Sequence, residues 1–342
     1  MGNLRLEDIA RQAGVSRSTV SRVINEHPNV REDVRKRVLD VIQVTGYHPN
    51  VAARTLASQR TWMIGLVLPR SVSSFFADPY YPRLTQGIAH ACNQYNYTLA
   101  LFLLGSKEDE EKVFPRLMRK SMVDGVLFQS AHDGDHLVDR LVESGMPVVM
   151  AGRPLTTNAV SYIDVDNVNA AYNATSHLIR LGRKRIAHIA GPTNSAVGID
   201  RQRGYLQALT ERDWPVDPRL MADGDFTEAG GYYAMQKLLP AKPDAVFAAS
   251  DLMALGAMRA VGEAGLRIPE DVAMVGFDDL PIAVQPKPQL TTVRQPVYQF
   301  GYNAVELLID RIETDNPSPR RVIMDTELIV RESCGALRSS PQ

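Results

Sequence analysis

Leu6-Glu-Asp-Ile-Ala-Arg-Gln-Ala-Gly-Val-Ser-Arg-Ser-Thr-Val-Ser-Arg-Val-Ile-Asn25 is the stretch on which the fold turns. Leu6, Ile9, Ala10 and Ala13 fall at intervals of three and four, the spacing of one face of a helix. Gly14 stops the run, and Ser16 stands where it can cap a second helix. That helix is expected from about Arg17 to Asn25, with Val20 and Val23 as its apolar stripe. A third is expected from about Glu32 to Thr45, with Val34, Val38, Val41, Ile42 and Thr45 on one side. Three short helices with a tight turn between the first two make a helix-turn-helix domain.

The outer face of the second helix carries Ser16, Arg17, Ser18, Ser21, Arg22 and Asn25. These are short or forked hydrogen-bonding groups, the kind that reach base edges and phosphates in a major groove. A plain polar helix face is the alternative. Residues 1–60 hold ten Lys or Arg against six Asp or Glu, so this region is +4 while the rest of the chain is -5. A basic module on a mildly acidic body suits a polyanionic partner. Farther on, Asn50 to Ala57 reads as one or two helical turns capped by Asn50, too short to be stable alone. Ala53 and Leu56 share a face there. A two-fold pair of such helices would pack through that face and push its leucines between base steps from the minor groove. The alternative is a linker.

Residues 4–60 closely resemble the N-terminal module of the LacI/GalR family of bacterial, ligand-responsive transcriptional regulators. The likeness rests on Leu6 to Ser16, Thr19 to Asn25, Gly46-Tyr-His-Pro-Asn50 and Ala53-Arg-Thr-Leu56. It implies Arg17, Ser18 and Arg22 in the major groove, and Ser16, Thr19, Ser21 and Asn25 mostly on the DNA backbone. It also implies Leu56 as the minor-groove wedge, with Ala53 beside it at the two-fold axis. Two residues depart from the pattern: Arg5 stands where a capping Thr is usual, and Arg31 where a capping Ser is common.

Beyond residue 61, apolar runs that read as strands alternate with helical patterns. The strands are Ile64–Leu68, Thr98–Leu103, Gly125–Gln129, Val148–Ala151, Val160–Ile163, Ile186–Ala190, Ala245–Ala249 and Val272–Phe277, with a last one near 323–331. Such alternation predicts a largely parallel α/β arrangement, divided into two similar lobes. The boundaries expected are a headpiece at 1–48, a hinge at 49–61, a body at 62–332 and a tail at 333–342. The first lobe takes about 62–163 and 294–324, the second about 164–293 and 325–332. Ligands in open parallel sheets bind beyond the C-terminal ends of strands. That rule selects Asp78, Tyr80, Tyr81, Ser250, Asp251, Asp278 and Asp279, of which Asp251 and Asp279 read better as helix caps.

The body also resembles the ligand-binding module of the same family, which shares its fold with periplasmic binding proteins. The signatures are Leu178 to Ala187, Arg201-Gln-Arg-Gly204, Ala249 to Gly256, Val275 to Asp279 and Leu290 to Pro296. The resemblance adds Arg201 and Phe226 to the cleft and retains Asp78, Tyr80, Tyr81, Ser250 and Asp278. Forked donors, carboxylate acceptors and aromatic faces suit a polyhydroxylated neutral effector, a sugar or sugar-like molecule. Where a Gly-Tyr pair is familiar the chain has Asn96-Tyr97, which fits if Asn96 is left-handed at a helix end.

Other function classes are poorly supplied. Neither GxGxxG in an early βα turn nor GxxxxGK[ST] occurs, and there is no Gly-x-Ser-x-Gly elbow, so a Rossmann-like enzyme is disfavoured. His132 and His136 lie four apart with Asp133 and Asp135 nearby, but without an HExxH frame they read as a polar loop. Neither a metal nor a cofactor is expected. The two cysteines, Cys92 and Cys334, are far apart in sequence and give no disulfide scaffold. With no apolar leader and no span of membrane length, the expected compartment is the cytoplasm. An exported sugar-binding protein is the other alternative, disfavoured by the missing leader and the attached headpiece. Reading an operator in double-stranded DNA requires two headpieces, hence a homodimer. The tail has no heptads for further assembly.

Overall fold

The computed structural model of the chain describes residues 4–24, 27–47, 60–118, 122–129, 137–155, 157–314 and 318–338. It divides into two compact units, residues 1–61 and 62–342.

The first unit holds α1 (Leu6–Ala13), α2 (Arg17–Ile24) and α3 (Glu32–Thr45). Ile9, Ala10, Ala13, Val20, Val23 and Val38 close its core, together with Tyr47, which helical spacing did not identify. Gly14 ends α1 in the left-handed region at φ 65°, where a side chain would be strained. Arg5 offers no side-chain cap to α1, but the Asp8 carboxylate accepts the Arg5 backbone N–H at 2.9 Å, so half of a capping box survives. Arg31 likewise gives α3 no side-chain cap.

The second unit contains two six-stranded sheets. Its elements run β1 (Met63–Leu68), α4 (Val72–Ala77), α5 (Tyr80–Gln94), β2 (Thr98–Leu103), α6 (Lys107–Leu117), β3 (Gly125–Gln129), α7 (Leu137–Glu143), β4 (Val148–Ala151) and β5 (Ser161–Val165). There follow α8 (Asn167–Arg180), β6 (Ile186–Ala190), α9 (Ala196–Thr210), β7 (Met221–Asp223), α10 (Glu228–Leu238), β8 (Ala245–Ala248), α11 (Asp251–Glu263), β9 (Ala273–Asp278), β10 (Thr291–Arg294), α12 (Val297–Glu313), β11 (Arg321–Met324) and β12 (Glu327–Ile329). The first sheet has the order β11-β5-β4-β3-β1-β2, every neighbouring pair parallel. The second has the order β12-β10-β9-β8-β6-β7, parallel except where β12 runs against β10.

Each sheet is covered on both faces, which is why its strands read as unbroken apolar runs. In the first lobe, α5 and α12 cover one face through Leu84, Ile88, Phe300 and Ala304, while α6 and α7 cover the other through Phe114, Leu117 and Leu141. In the second, α10 and α11 supply Met235 and Met253 on one face, and α8 and α9 supply Leu178 and Tyr205 on the other. Each fully buried Leu, Ile or Phe contributes about 1.5–3 kcal/mol of transfer free energy. Helices α5 and α12 meet so closely that a Cβ at Gly301 would stand 2.3 Å from the Leu84 carbonyl oxygen. Asn96 is left-handed at φ 59°, just past α5, as an Asn in a glycine position must be.

The chain passes between the lobes three times: after β5, after β10, and between β11 and β12. The single last strand expected near 323–331 is therefore corrected. Asp325 and Thr326 carry the chain from one sheet to the other, so the ladder breaks there and leaves a short strand on each side. Helix α4 and strands β7 and β10 were not anticipated.

Candidate functional site

In the first unit, Ser16 caps α2 by accepting the Thr19 N–H at 3.1 Å. Its hydroxyl also lies 2.8 Å from those of Ser18 and Thr19, so the three form one hydrogen-bonded group at the start of the helix. Arg17, Ser18 and Arg22 are exposed, and Ser21 is half-buried. Arg17 lies 3.3 Å from Glu7 and both are largely in water, so the pair is weak and readily exchanged for a phosphate or a base. Asn25, Asn50, Ala53 and Leu56 lie outside the described residues, as do His132 and His136. Among the described residues no group of three metal-ligating side chains occurs, and no helix is long and apolar enough to cross a membrane.

In the second unit, the C-terminal ends of both sheets face one cleft, which leaves about 880 Å³ free of atoms, mouth included. All seven residues expected to bind a ligand line it: Asp78, Tyr80, Tyr81, Arg201, Phe226, Ser250 and Asp278. At its centre Arg201, on α9, is buried with its guanidinium 3.5 Å above the Phe277 ring. Its Nε donates to Asn167 Oδ1 at 2.9 Å, and its Nη1 donates to the Ala249 carbonyl at 2.5 Å and approaches Asp278 Oδ1 at 3.4 Å. Gln295 also donates to Asp278 Oδ1, at 2.6 Å. Burial pushes the Asp278 carboxyl above the usual carboxylate range, and the Arg201 guanidinium opposes the shift. Asp278 sits at φ 116°, a conformation that L residues rarely adopt. Backbone strain of this kind persists where the surroundings over-determine it, often at ligand sites.

The other expected residues hold more than one role. Asp78 follows α4 and accepts the Tyr80 N–H at 2.9 Å; burial raises its pKa. Tyr80 opens α5 half-buried, and burial raises its phenol above the ordinary range. Tyr81 is both wall and core: it packs in the first-lobe core, with the Arg70 guanidinium 4.7 Å over its ring. Phe226 is left-handed at φ 61°, and its ring fills the space over Gly191, where a Cβ would come within 2.2 Å of it. Ser250 caps α11 by accepting the Met253 N–H at 3.2 Å.

The helix-cap reading of Asp251 and Asp279 needs correction. Asp251 is the first residue of α11 and fully buried; it accepts the Thr292 hydroxyl at 2.5 Å and the Leu280 N–H at 2.9 Å, bracing the loops after β8 and β9. Asp279 pairs with Arg294 at 2.7 Å and Arg331 at 2.5 Å. Neither is a cap, and neither lines the cleft.

Among the residues that sequence reasoning missed are Arg70, Gln129, Arg153, Asp164, Asn167, Gln295 and Phe300, all in the cleft wall. The rule that selected Asp278 reaches Gln129, the last residue of β3, and Asp164 in β5 when applied to those strands too. Gln129 is buried, and its Oε1 has no partner among the described residues. Buried Asp164 accepts the Val165 N–H at 2.7 Å, the Arg153 N–H at 2.8 Å and Asn167 Nδ2 at 3.0 Å.

The chain shares these features with proteins already described. Residues 5–50 match the family of bacterial regulatory proteins of the lacI type, and residues 175–334 match a periplasmic binding protein-like domain. The HTH-type transcriptional regulator CelR of Thermobifida fusca is 42% identical over 332 residues, covering 96% of this chain and 97% of that protein. A solved CelR–cellobiose complex superposes with a TM-score of 0.78 at 40% identity, over 96% of this chain and 99% of that one. The lac repressor dimer bound to operator and the anti-inducer ONPF gives a TM-score of 0.83 at 25% identity, over 97% and 99%. A helical DNA-binding headpiece and a two-lobed parallel α/β body, with likeness of this extent, leave one conclusion: the chain belongs to the lacI family of bacterial transcriptional regulators, sequence-specific DNA-binding proteins and not enzymes.

Proposed function

We propose that this regulator represses transcription by binding an operator as a two-fold dimer, and that a neutral sugar in the cleft controls its hold on DNA. The observation that carries the effector class is charge balance among the charged groups that line the cleft, of which Arg201, Asp164 and Asp278 are buried and the others half-buried. Arg70, Arg153 and Arg201 line the cleft, and so do Asp78, Asp164 and Asp278. Arg201 is already met by Asp278 and Arg153 by Asp200. An anionic ligand that took Arg201 would leave the buried Asp278 without its cation, which is costly. Hydroxyl groups instead donate and accept within such pairs without altering the balance. Phe226 and Tyr80 offer aromatic faces for a pyranose ring. The CelR relative solved with cellobiose supports a disaccharide.

On this reading, residues 1–48 read the operator half-site through Arg17, Ser18 and Arg22. Residues 49–61 are the hinge that sets Leu56 in the minor groove, and residues 62–332 sense and dimerise. A thermal-shift screen of the full chain tests the effector class, with cellobiose, other neutral mono- and disaccharides, and sugar phosphates at matched concentration. A neutral sugar should raise the melting temperature, through binding to the folded state alone. Stabilisation by sugar phosphates and by no neutral sugar would overturn the assignment.

A further inference from the structure

Besides the apolar contact of Leu280 with the first-lobe core, one polar contact in the cleft wall joins the lobes without belonging to any chain crossing. Arg153 follows β4 in the first lobe, and Asp200 lies on α9 in the second, next to Arg201. Arg153 Nε donates to Asp200 Oδ2 at 3.0 Å and its Nη2 donates to Oδ1 at 3.0 Å, a two-pronged pair. The Asp200 side chain is 14% exposed and that of Arg153 36%, so the pair is shielded from salt better than a surface pair. The same residue reaches Arg201 by a second route. The Arg153 N–H holds Asp164 Oδ2, Asp164 Oδ1 accepts from Asn167, and Asn167 Oδ1 accepts Arg201 Nε. Arg153 thus grips the start of α9 through its side chain and through its backbone.

The geometry points to Arg153 and Asp200 as a latch between the lobes, which ties the two walls of the cleft together and holds Arg201 in its orientation. The three crossings are covalent and permit a hinge, whereas this pair is a side-chain tie that can release. A latch lowers the cost of closure that an entering ligand meets. It also makes Arg153 a positioning residue for Arg201. This inference concerns the chain without ligand and stands whether or not the effector is a sugar.

Hydrogen–deuterium exchange on the full chain without ligand tests it, using Arg153→Gln, Asp200→Asn and the double variant. Each single variant should exchange about fivefold faster in cleft-lining segments of both lobes, near 127–129, 150–154, 190–202 and 276–280. Segments 84–92 and 254–261, inside the lobes, should keep their rates. The double variant should match the single ones, because the two side chains act on each other. Unchanged exchange along the cleft would overturn the latch. So would acceleration confined to α9, which would make Asp200 a support of its own helix, or additive effects in the double variant.

Discussion

Asp278 is where the demands on single side chains are greatest, because it is buried, strained, beside Arg201 and held by Gln295. Asp278→Asn keeps the shape and removes the charged acceptor. Effector binding should weaken by about 2 kcal/mol or more, the worth of hydrogen bonds to a charged group. Operator binding without effector should stay near the native value. Calorimetric titration of the sugar found by the screen, with an operator gel-shift beside it, checks both. His188 makes a different prediction. It stacks on Tyr205 and Phe247 in the second-lobe core, its Nδ1 is 3.0 Å from the Phe247 carbonyl and its Nε2 has no partner among the described residues. Burial pushes its pKa down to about 4 from 6.5. Below 6.5 the unfolded chain takes up the proton first, so stability falls as pH drops from 6.5 towards 4, by about 3 kcal/mol in all. His188→Phe retains the stacking and should flatten that part of the melting-temperature profile; an unchanged acid slope would count against it. At this scale the sequence showed the polar ends of the strands that were searched, Asp78, Ser250 and Asp278 among them. It did not show which aspartates brace loops. Asp251 and Asp278 both end apolar runs, and only the three-dimensional partners Thr292 and Arg201 tell them apart.

Among the elements, those with strong periodicity were legible to within a few residues, because an amphipathic face must recur at 3.6 and a doubly covered strand must be apolar throughout. α1 and α3 are of the first kind, β3 and β4 of the second. Short pieces escaped. β7 has three residues and α4 has six, too few to show a period. The split between β11 and β12 is set by the two sheets and not by local preference. Close helix contact was also invisible, since Gly301 inside α12 reads as a weak helical residue. Gly301→Ala would drive a methyl into the Leu84 carbonyl of α5, and the helices must separate. The cost should be about 2–3 kcal/mol, the upper part of the usual overpacking range. It should appear in chemical denaturation as a lower midpoint, and an unshifted midpoint would mean that the helix pair yields easily.

For the molecule as a whole, the headpiece and the cleft belong to separate units, so the effector control proposed above requires thermodynamic coupling between them. Operator DNA should change effector affinity by the same factor by which effector changes operator affinity. Operator affinity should also fall steeply and linearly on logarithmic axes as salt rises. Titrations of each ligand with and without the other, at two or more salt concentrations, test these statements; equal affinities in both conditions would deny coupling. The threefold passage of the chain between the lobes has a further consequence, for synthesis on the ribosome. Both α12 and β11 of the first lobe are made only after nearly all of the second. Until Val297 emerges, Leu84 and Ile88 of α5 have no helix beside them, and the first sheet lacks one of its two edge strands. A nascent chain halted near residue 290 should therefore carry an open apolar face on its first lobe. The lobe that is translated first thus stays unfinished until nearly all of the other has been made.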